Sequence, residues 1–401
     1  IINGKNLIVL APTAGGKTEA AFLPILSEVM TKELTPVSVL YISPIKALLN
    51  NQEERLRELS SFIYGDVFKW HGDVEKTNKN KFIKNKAHVL MITPESLEVI
   101  LMNKLANKEE LFKDLHYIVI DEIHAFAESE RGTHLMALIE RVQKFSNYDI
   151  QRIGLSATVG NPDKLLEWLQ GSSKREKLVI YPSDEKKNKK IEIRFCKDEE
   201  ERTQEILKRI VSRKALVFSN NRKDAELLKL RMEKENIDSY IHHSSINKFF
   251  REKTEESFKI GKTNTIIATN TLELGIDIGA LDIVLHLEMP SSVSSFLQKL
   301  GRTGRREGKV SHFVFLPSNE ENLVMSIAIL NLAMKKWVEN VFVTDKAYDI
   351  LLHQTLTICL SSYGADIDDI FNTLSKVYSF SGISNEEYKY LIEYMVKESI
   401  L

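Results

Sequence analysis

Leu7-Ile-Val-Leu-Ala-Pro-Thr-Ala-Gly-Gly-Lys-Thr18 runs four apolar residues straight into a glycine-bearing turn that ends on lysine and threonine. The apolar run is short and lacks a polar face, as expected of a strand buried on both sides. Beyond Thr18 the pattern turns helical. Strand, glycine turn and helix in that order make a cradle for phosphate. Gly15 and Gly16 let backbone N–H groups approach the oxygens, and the helix start directs its positive dipole end at them. Lys17 would neutralise the terminal phosphates of a nucleotide, and the Thr18 hydroxyl would ligate Mg²⁺. The general pattern asks for glycine at its first position, where Ala11 stands.

The same alternation of short apolar run and longer amphipathic stretch continues outward from this turn. Runs at Val39–Ile42, Val89–Ile92, Tyr117–Ile120 and Arg152–Leu155 predict further buried parallel strands, most leading into a helix. The rhythm stops at Ser183-Asp-Glu-Lys-Lys-Asn-Lys-Lys190, which reads as a solvated linker. It resumes with Ala215–Phe218, Tyr240–His242, Thr265–Ala268, Ile283–His286 and His312–Leu316. The expected fold is therefore α/β, with two tandem parallel-sheet domains at residues 1–182 and 191–330. Residues 340–401 differ. Apolar residues recur there at helical spacing in three short segments, the last opened by a Ser384/Glu387 capping box. That pattern predicts a small helical module of the helix-turn-helix kind.

The bulk composition narrows the class. Of the 401 residues, 43% are hydrophobic and 28% charged, as in a globular protein, and no window approaches a membrane span. The two cysteines, Cys196 and Cys359, are far apart and lack metal-ligand spacing, so neither disulfides nor zinc are expected and a reducing cytosol fits. The formal charge is −1, so any contact with nucleic acid must come from local geometry. The chain starts at Ile1 with no signal sequence ahead of the first motif, and reads as a fragment.

Asp121-Glu-Ile-His124 follows the run Tyr117–Ile120, at the strand end where doubly wound sheets place ligands. Asp121 is expected to hold the magnesium and Glu122 to orient and deprotonate the attacking water. His124 is either structural or a link from the site to the second domain. Together with Ser156-Ala-Thr158 and Gln298-Lys-Leu-Gly-Arg-Thr-Gly-Arg305, these motifs resemble, in order, those of superfamily 2 helicases of the DExH type. Within that group the chain resembles the large helicase-related (Lhr) family. The likeness lies in Thr18-Glu-Ala-Ala-Phe-Leu-Pro24, Thr93-Pro-Glu-Ser-Leu-Glu98, His124-Ala-Phe-Ala-Glu-Ser-Glu-Arg-Gly132, Leu155-Ser-Ala-Thr-Val-Gly-Asn-Pro162 and Leu272-Glu-Leu-Gly-Ile-Asp-Ile-Gly279.

The resemblance implies two RecA-like domains followed by a winged helix, truncated here before its wing. It implies ATP and Mg²⁺ as nucleotide and metal, with Thr13 joining the phosphate loop and Asp277 meeting the ribose. Arg302 and Arg305 would be arginine fingers and Gln298 part of their network, since a permanently charged planar guanidinium suits the spreading charge of phosphoryl transfer. Ser156 and Thr158 would couple the domains. The adenine-reading glutamine of the superfamily would lie upstream of Ile1.

Ser43-Pro44 and Thr93-Pro94 share one construction at two strand ends, a hydroxyl suited to the N-cap and a proline suited to the first helical position. Exposed N–H groups at such helix starts bind backbone phosphates. The family's strand-binding motifs match these positions and extend the set to Lys46, Glu95 and Ser96. Ser219, Asn220 and Asn221, with Thr269, Asn270 and Thr271, look like their counterparts in the second domain. Lys76, Lys79, Lys81, Lys84 and Lys86 read as a solvated helix face, while Trp70 and Trp337 could stack on bases or belong to a core. The expected partner is single-stranded or partly duplex nucleic acid, DNA over RNA. The expected mechanism is a two-state clamp, and the resemblance implies that it travels 3′ to 5′ on single-stranded DNA and displaces a paired DNA or RNA strand, in DNA repair or genome maintenance, with phage defence and RNA processing as alternatives. A nucleotide-dependent switch that remodels without unwinding, and a silent binding module, are the rival classes.

Overall fold

The computed structural model describes residues 1–12, 15–63, 65–103, 107–181, 188–261, 264–269, 272, 279–304, 310–362 and 364–401; for residues 248, 249, 251, 252 and 259 it describes the backbone alone. In chain order the first part contains β1 (Asn6–Leu10), α1 (Lys17–Thr31), β2 (Val39–Ile42), α2 (Lys46–Ser61), β3 (Val67–Trp70), α3 (Lys76–Lys84), β4 (Val89–Ile92) and α4 (Pro94–Met102). Next come α5 (Lys108–Phe112), β5 (Tyr117–Ile120), α6 (His124–Ala127), α7 (Glu130–Gln143), β6 (Gln151–Ser156), α8 (Pro162–Gln170) and β7 (Lys177–Ile180). The second part contains β8 (Lys189–Ile193), α9 (Glu199–Ile210), β9 (Ala215–Phe218), α10 (Arg222–Lys234), β10 (Ser239–His242), α11 (Lys248–Ile260) and β11 (Thr265–Ala268). It continues through β12 (Ile283–His286), α12 (Val293–Leu300), β13 (Ser311–Phe315) and α13 (Glu320–Met334). Three helices close the chain, α14 (Tyr348–Ser362), α15 (Ile367–Leu374) and α16 (Asn385–Lys397).

The chain divides into two compact units, one of residues 1–11, 16–182 and 340–401, the other of residues 12–15 and 183–339. In the first unit seven parallel strands are ordered β3-β4-β2-β5-β6-β1-β7. Side chains alternate across this sheet, as a pleat requires. Ile8, Leu40, Ile42, Leu90, Ile92, Ile118 and Ile120 enter the core on one face, and Leu7, Val9, Val39, Tyr41, Met91 and Val119 the core on the other. Both faces are buried, which is why the sequence shows continuous apolar runs and no alternation. The second unit is built alike, six parallel strands in the order β10-β11-β9-β12-β13-β8.

Ten of the strands coincide with the predicted apolar runs to within a residue or two at each end; three edge strands do not. β3, β7 and β8 have at most one neighbour in their sheets and expose part of their length, so their sequences carry the polar residues that hide them. β8 also corrects the expected linker at residues 183–190. Lys189 and Lys190 pair with Ser311 and His312 as the edge of the second sheet, where exposed lysines are well tolerated.

The C-terminal helices form where expected, and the capping box is present, Glu387 N donating to Ser384 Oγ (3.1 Å) and Ser384 N to Glu387 Oε2 (2.7 Å). They are not a free-standing module. Leu351, Ile370, Leu374, Tyr388, Ile392 and Met395 share one apolar core with α7, α8 and a face of the first sheet. Three short helices cannot bury enough surface to fold alone, and docking on α4 and α7 supplies the missing cover.

Candidate functional site

The central strands of the first sheet, β5, β6 and β1, lie side by side, and their C-terminal ends carry Asp121, Ser156 and Ala11. Beyond Ala11 the chain reaches Gly16, the N-cap of α1, in the left-handed conformation (φ 74°, ψ 20°) that suits a residue without a Cβ. Lys17 then turns back over the turn. Its Nζ donates to the Ala11 carbonyl (3.0 Å) and lies 3.9 Å from Glu122 Oε1, with the side chain 8% exposed. Thr18, Asp121 and Glu122 are also buried. A lysine, a hydroxyl and two acids are here withdrawn from water, where isolated ionised groups are costly to bury, and the cluster is a candidate site for a charged ligand. Thr18 and Asp121 would offer magnesium hard oxygen donors of the kind it takes. Thr13 lies outside the described residues.

Asp121 is held from the neighbouring strand, where the Tyr41 hydroxyl donates to Oδ2. Burial, and next the charge of Glu122, push the Asp121 carboxyl up to about 6, and burial with the Asp121 charge raises the Tyr41 phenol, so that it remains a donor. Glu122 takes a positive φ of 46°, unusual for a residue with a side chain, and its N–H donates to Asp121 Oδ1 (2.9 Å). The sharp turn sets the two acids apart on one strand end. His124 sits beside them. Its Nδ1 lies 3.6 Å from Glu122 Oε2, accepts from the Ala157 N–H (3.3 Å) and is 3.3 Å from Ser156 Oγ. An N–H aimed at Nδ1 selects the tautomer protonated on Nε2. His124 thus ties the acid motif to Ser156-Ala157 inside the first unit.

The two strand-end turns read as anion sites differ in detail. Thr93 is the extended N-cap of α4 with Pro94 at the first helical position, and its hydroxyl pairs with Ser96 Oγ (3.3 Å). Ser43-Pro44 does not cap a helix as expected. α2 begins only at Lys46, behind an extended Ile45. There Ser43 Oγ donates to the Ile45 carbonyl (3.5 Å) and the Pro44 carbonyl is taken by the distant Arg131. Arg131 also grips Glu95 (NH2 to Oε2, 3.0 Å), and so fastens both turns to the start of α7. Lys46 pairs with Asp73 (2.8 Å). Sequence reading missed Arg131 and Tyr41. Tyr41 could have been found as the polar-headed aromatic in an aliphatic strand, whereas Arg131 carries no local signal. Trp70 is 8% exposed and packs edge-on against Phe68 and Phe82, whereas Trp337 is 47% exposed.

In the second unit Ser219 Oγ donates to the Asn221 carbonyl (2.8 Å), Asn220 Nδ2 to that of Met289 (3.1 Å), and Asn221 caps α10 through the Asp224 N–H (2.8 Å). Thr269 N–H donates to the His242 carbonyl (3.3 Å), so the ends of β9, β10 and β11 lie along one edge. Helix α12 carries Gln298 and leads into Arg302, both buried. The Arg302 guanidinium is fully buried. Asn270, Thr271, Asp277 and Arg305 lie outside the described residues. Among those described, no helix is long and apolar enough to cross a membrane.

Residues 1–165 match the DEAD/DEAH box helicase family and residues 198–307 the helicase conserved C-terminal domain. The chain is 32% identical over its full length to the ATP-dependent helicase Lhr-Core of Methanothermobacter thermautotrophicus, and 29% identical over 98% of its length to that of Methanocaldococcus jannaschii. It spans half the length of each, 50% in both cases. The helicase Lhr of Mycobacterium smegmatis, whose structure is bound to single-stranded DNA and AMP-PNP, superposes with a TM-score of 0.84 at 28% identity. That superposition covers 96% of this chain and 53% of that one. The RNA-bound DEAD-box protein Mss116p, at 18% identity and a TM-score of 0.70, shares the fold, with 96% of this chain and 79% of that one covered. Two RecA-like sheets, a buried Lys17–Asp121–Glu122 cluster and these likenesses agree: the chain carries a DEAD/DEAH box helicase domain followed by a helicase conserved C-terminal domain, and it is similar to the Lhr-Core ATP-dependent helicases.

Proposed function

We propose that the chain is the ATP-hydrolysing motor of a helicase that travels 3′ to 5′ along single-stranded DNA and displaces a paired DNA or RNA strand during genome repair in the cytoplasm. The observation that carries this reading is the convergence of Lys17, Asp121 and Glu122 at adjacent strand ends, with His124 joining them to Ser156-Ala157. Lys17 would neutralise the transferred phosphoryl group, and Glu122 would take the proton of the attacking water. Thr18 and Asp121 would hold magnesium, which offsets charge on the phosphates. Gln298, Arg302 and Arg305 would supply transition-state charge from the second unit, Asp277 would meet the ribose and Thr13 the phosphates. Ser156 and Thr158 would relay the nucleotide state to the strand.

Strand contacts would come from Ser43, Pro44, Lys46 and Thr93–Ser96 in the first unit, and from Ser219–Asn221 and Thr269–Thr271 in the second. Contacts of this type address the backbone, so base preference should be weak. DNA is favoured because the Lhr structure at 28% identity holds single-stranded DNA. Residues 340–401 would act as a winged helix seated on the first domain. The test is ATP turnover with and without single strands, in the unaltered chain and in Lys17→Ala, together with displacement of 3′- and 5′-tailed duplexes. Stimulated turnover that Lys17→Ala abolishes, with only 3′-tailed substrates opened, is the expected result. Turnover indifferent to nucleic acid would overturn the motor reading, and stimulated turnover without displacement would point to a remodeller.

A further inference from the structure

A cavity of about 270 Å³ lies within the first unit, where the ends of α4 and α7 and the start of α5 meet α14 and α15. Leu101, Phe145, Ile358 and Ile370 supply apolar lining. Three cations border the same space, Lys108 at the first position of α5, Arg141 in the last turn of α7 and Lys144 just beyond it. Arg141 is buried, and its Nη1 is taken by Glu98, Gln354 and Thr357, while Nη2 has no partner among the described residues. Neither lysine has a carboxylate within ion-pair range among the described residues.

Stability does not account for the position of Lys108. A cation at the first helical position opposes the positive end of the helix, and like charges close together repel. Burial, and next the charge of Arg141, hold the Lys108 ammonium below its usual range. Cations gathered at a cavity without a counter-ion are an arrangement that a bound anion relieves. The facing wall carries Asp366 and Asp369. Both are exposed to water, and the Asp366 carboxylate is engaged in capping α15 through the Asp369 N–H (3.1 Å). They leave the cationic end open to an anion and disfavour a second negative group at the other end.

We propose that this cavity binds a phosphate monoester, its dianionic head held by Lys108, Arg141 and Lys144 and an apolar body lying on Leu101, Phe145, Ile358 and Ile370. Three cations match a dianion better than a carboxylate, and a guanidinium with two ammonium groups is a donor set that suits phosphate. The volume exceeds that of an inorganic ion and approaches the lower end of small-ligand pockets. None of Lys17, Asp121 and Glu122 lines it, so the site is separate from the nucleotide cluster. A ligand there bridges α5 and α7 to α14 and α15, and its binding tightens the seat of the C-terminal helices.

The test is calorimetric titration of the full chain with phenyl phosphate. Lys108→Ala and Lys144→Ala should each weaken binding about tenfold, whereas Lys79→Ala on α3 and Lys17→Ala in the phosphate loop should leave it within about twofold. Asp369→Asn, which removes a negative charge from the facing wall, should tighten it. Lys108→Ala should melt no lower than the unaltered chain, an outcome that a lysine kept for stability would not give. Amide exchange in α14 and α15 should slow when phenyl phosphate is bound. Competition by a 5′-phosphorylated oligothymidylate but not by its 5′-hydroxyl form identifies a strand end as the source of the phosphate; no competition by either identifies a free small molecule. Absence of binding, equal affinity for inorganic phosphate, or affinity unchanged in Lys108→Ala and Lys144→Ala overturns the proposal. Binding that Lys17→Ala abolishes overturns it too, since the phosphate would then sit in the loop.

Discussion

Replacing Glu98 by glutamine should loosen the C-terminal helices from the rest of the first unit, and by a predictable amount. Glu98, on α4, is buried with Arg141 and His134 of α7 and Gln354 of α14. Arg141 NH1 reaches Glu98 Oε1 (2.6 Å), Gln354 Oε1 (2.9 Å) and Thr357 Oγ1 (3.3 Å), and Gln354 Nε2 donates to Glu98 Oε2 (2.8 Å). Burial pushes the Glu98 carboxyl upward, but His134, Arg141 and Gln354 outweigh it and hold the group down from 4.5 to about 2. That depression corresponds to about 3 kcal/mol of stability at neutral pH, the same order as the cost of breaking a buried ion pair. Because the folded value lies below the unfolded one, the contribution is fully present above pH 4.5 and is lost as pH falls toward 2. Glu98→Gln should lower the melting point by about 6 to 12 °C at pH 6.5, and the stability difference should shrink to about 2 kcal/mol at pH 3.5. Calorimetry of both proteins at the two pH values measures this. A variant that melts within about 1 °C of the parent at pH 6.5, or a difference that ignores pH, would refute the reasoning.

Three further outcomes follow from the geometry. Arg131→Ala, which releases Pro44 and Glu95, should weaken single-strand affinity about tenfold in filter binding while leaving ADP affinity unchanged; equal strand affinity would detach Arg131 from that role. Tyr41→Phe, which removes the donor to Asp121, should raise the magnesium concentration for half-maximal ATP turnover by about tenfold, as loss of a hydrogen bond to a metal-holding carboxylate does, with little effect on melting. Gly154→Ala should cost about 1 to 3 kcal/mol in urea denaturation, because the added Cβ would lie 2.5 Å from Ile8 Cδ1 and 3.0 Å from Ile123 Cδ1 at the centre of the first sheet; a neutral result would mean that the sheet has slack there.

The candidate site was legible in the chain because its pieces rest on local constructions. A phosphate loop is a strand, a glycine turn and a helix start, and Leu7–Thr18 spells all three without help from elsewhere. Asp121 and Glu122 end a run of four apolar residues, so their place at a strand end follows from the pattern alone. Buried strands announce themselves because both of their faces must be apolar, whereas β3, β7 and β8 lie on edges and look like loops.

Tertiary structure alone decided which distant side chains complete these local pieces. Nothing near Arg131 says that it closes the turns at Pro44 and Glu95, and nothing near Glu339 says that its carboxylate seats on Val293 and Ser294. The sequence likewise predicts three amphipathic C-terminal helices, since periodicity reports an apolar face. It cannot say what covers that face. The answer is α7, α8 and the first sheet, sealed by the Glu98–Arg141–Gln354 network, because a buried charge accepts only the partner that folding brings within hydrogen-bonding reach.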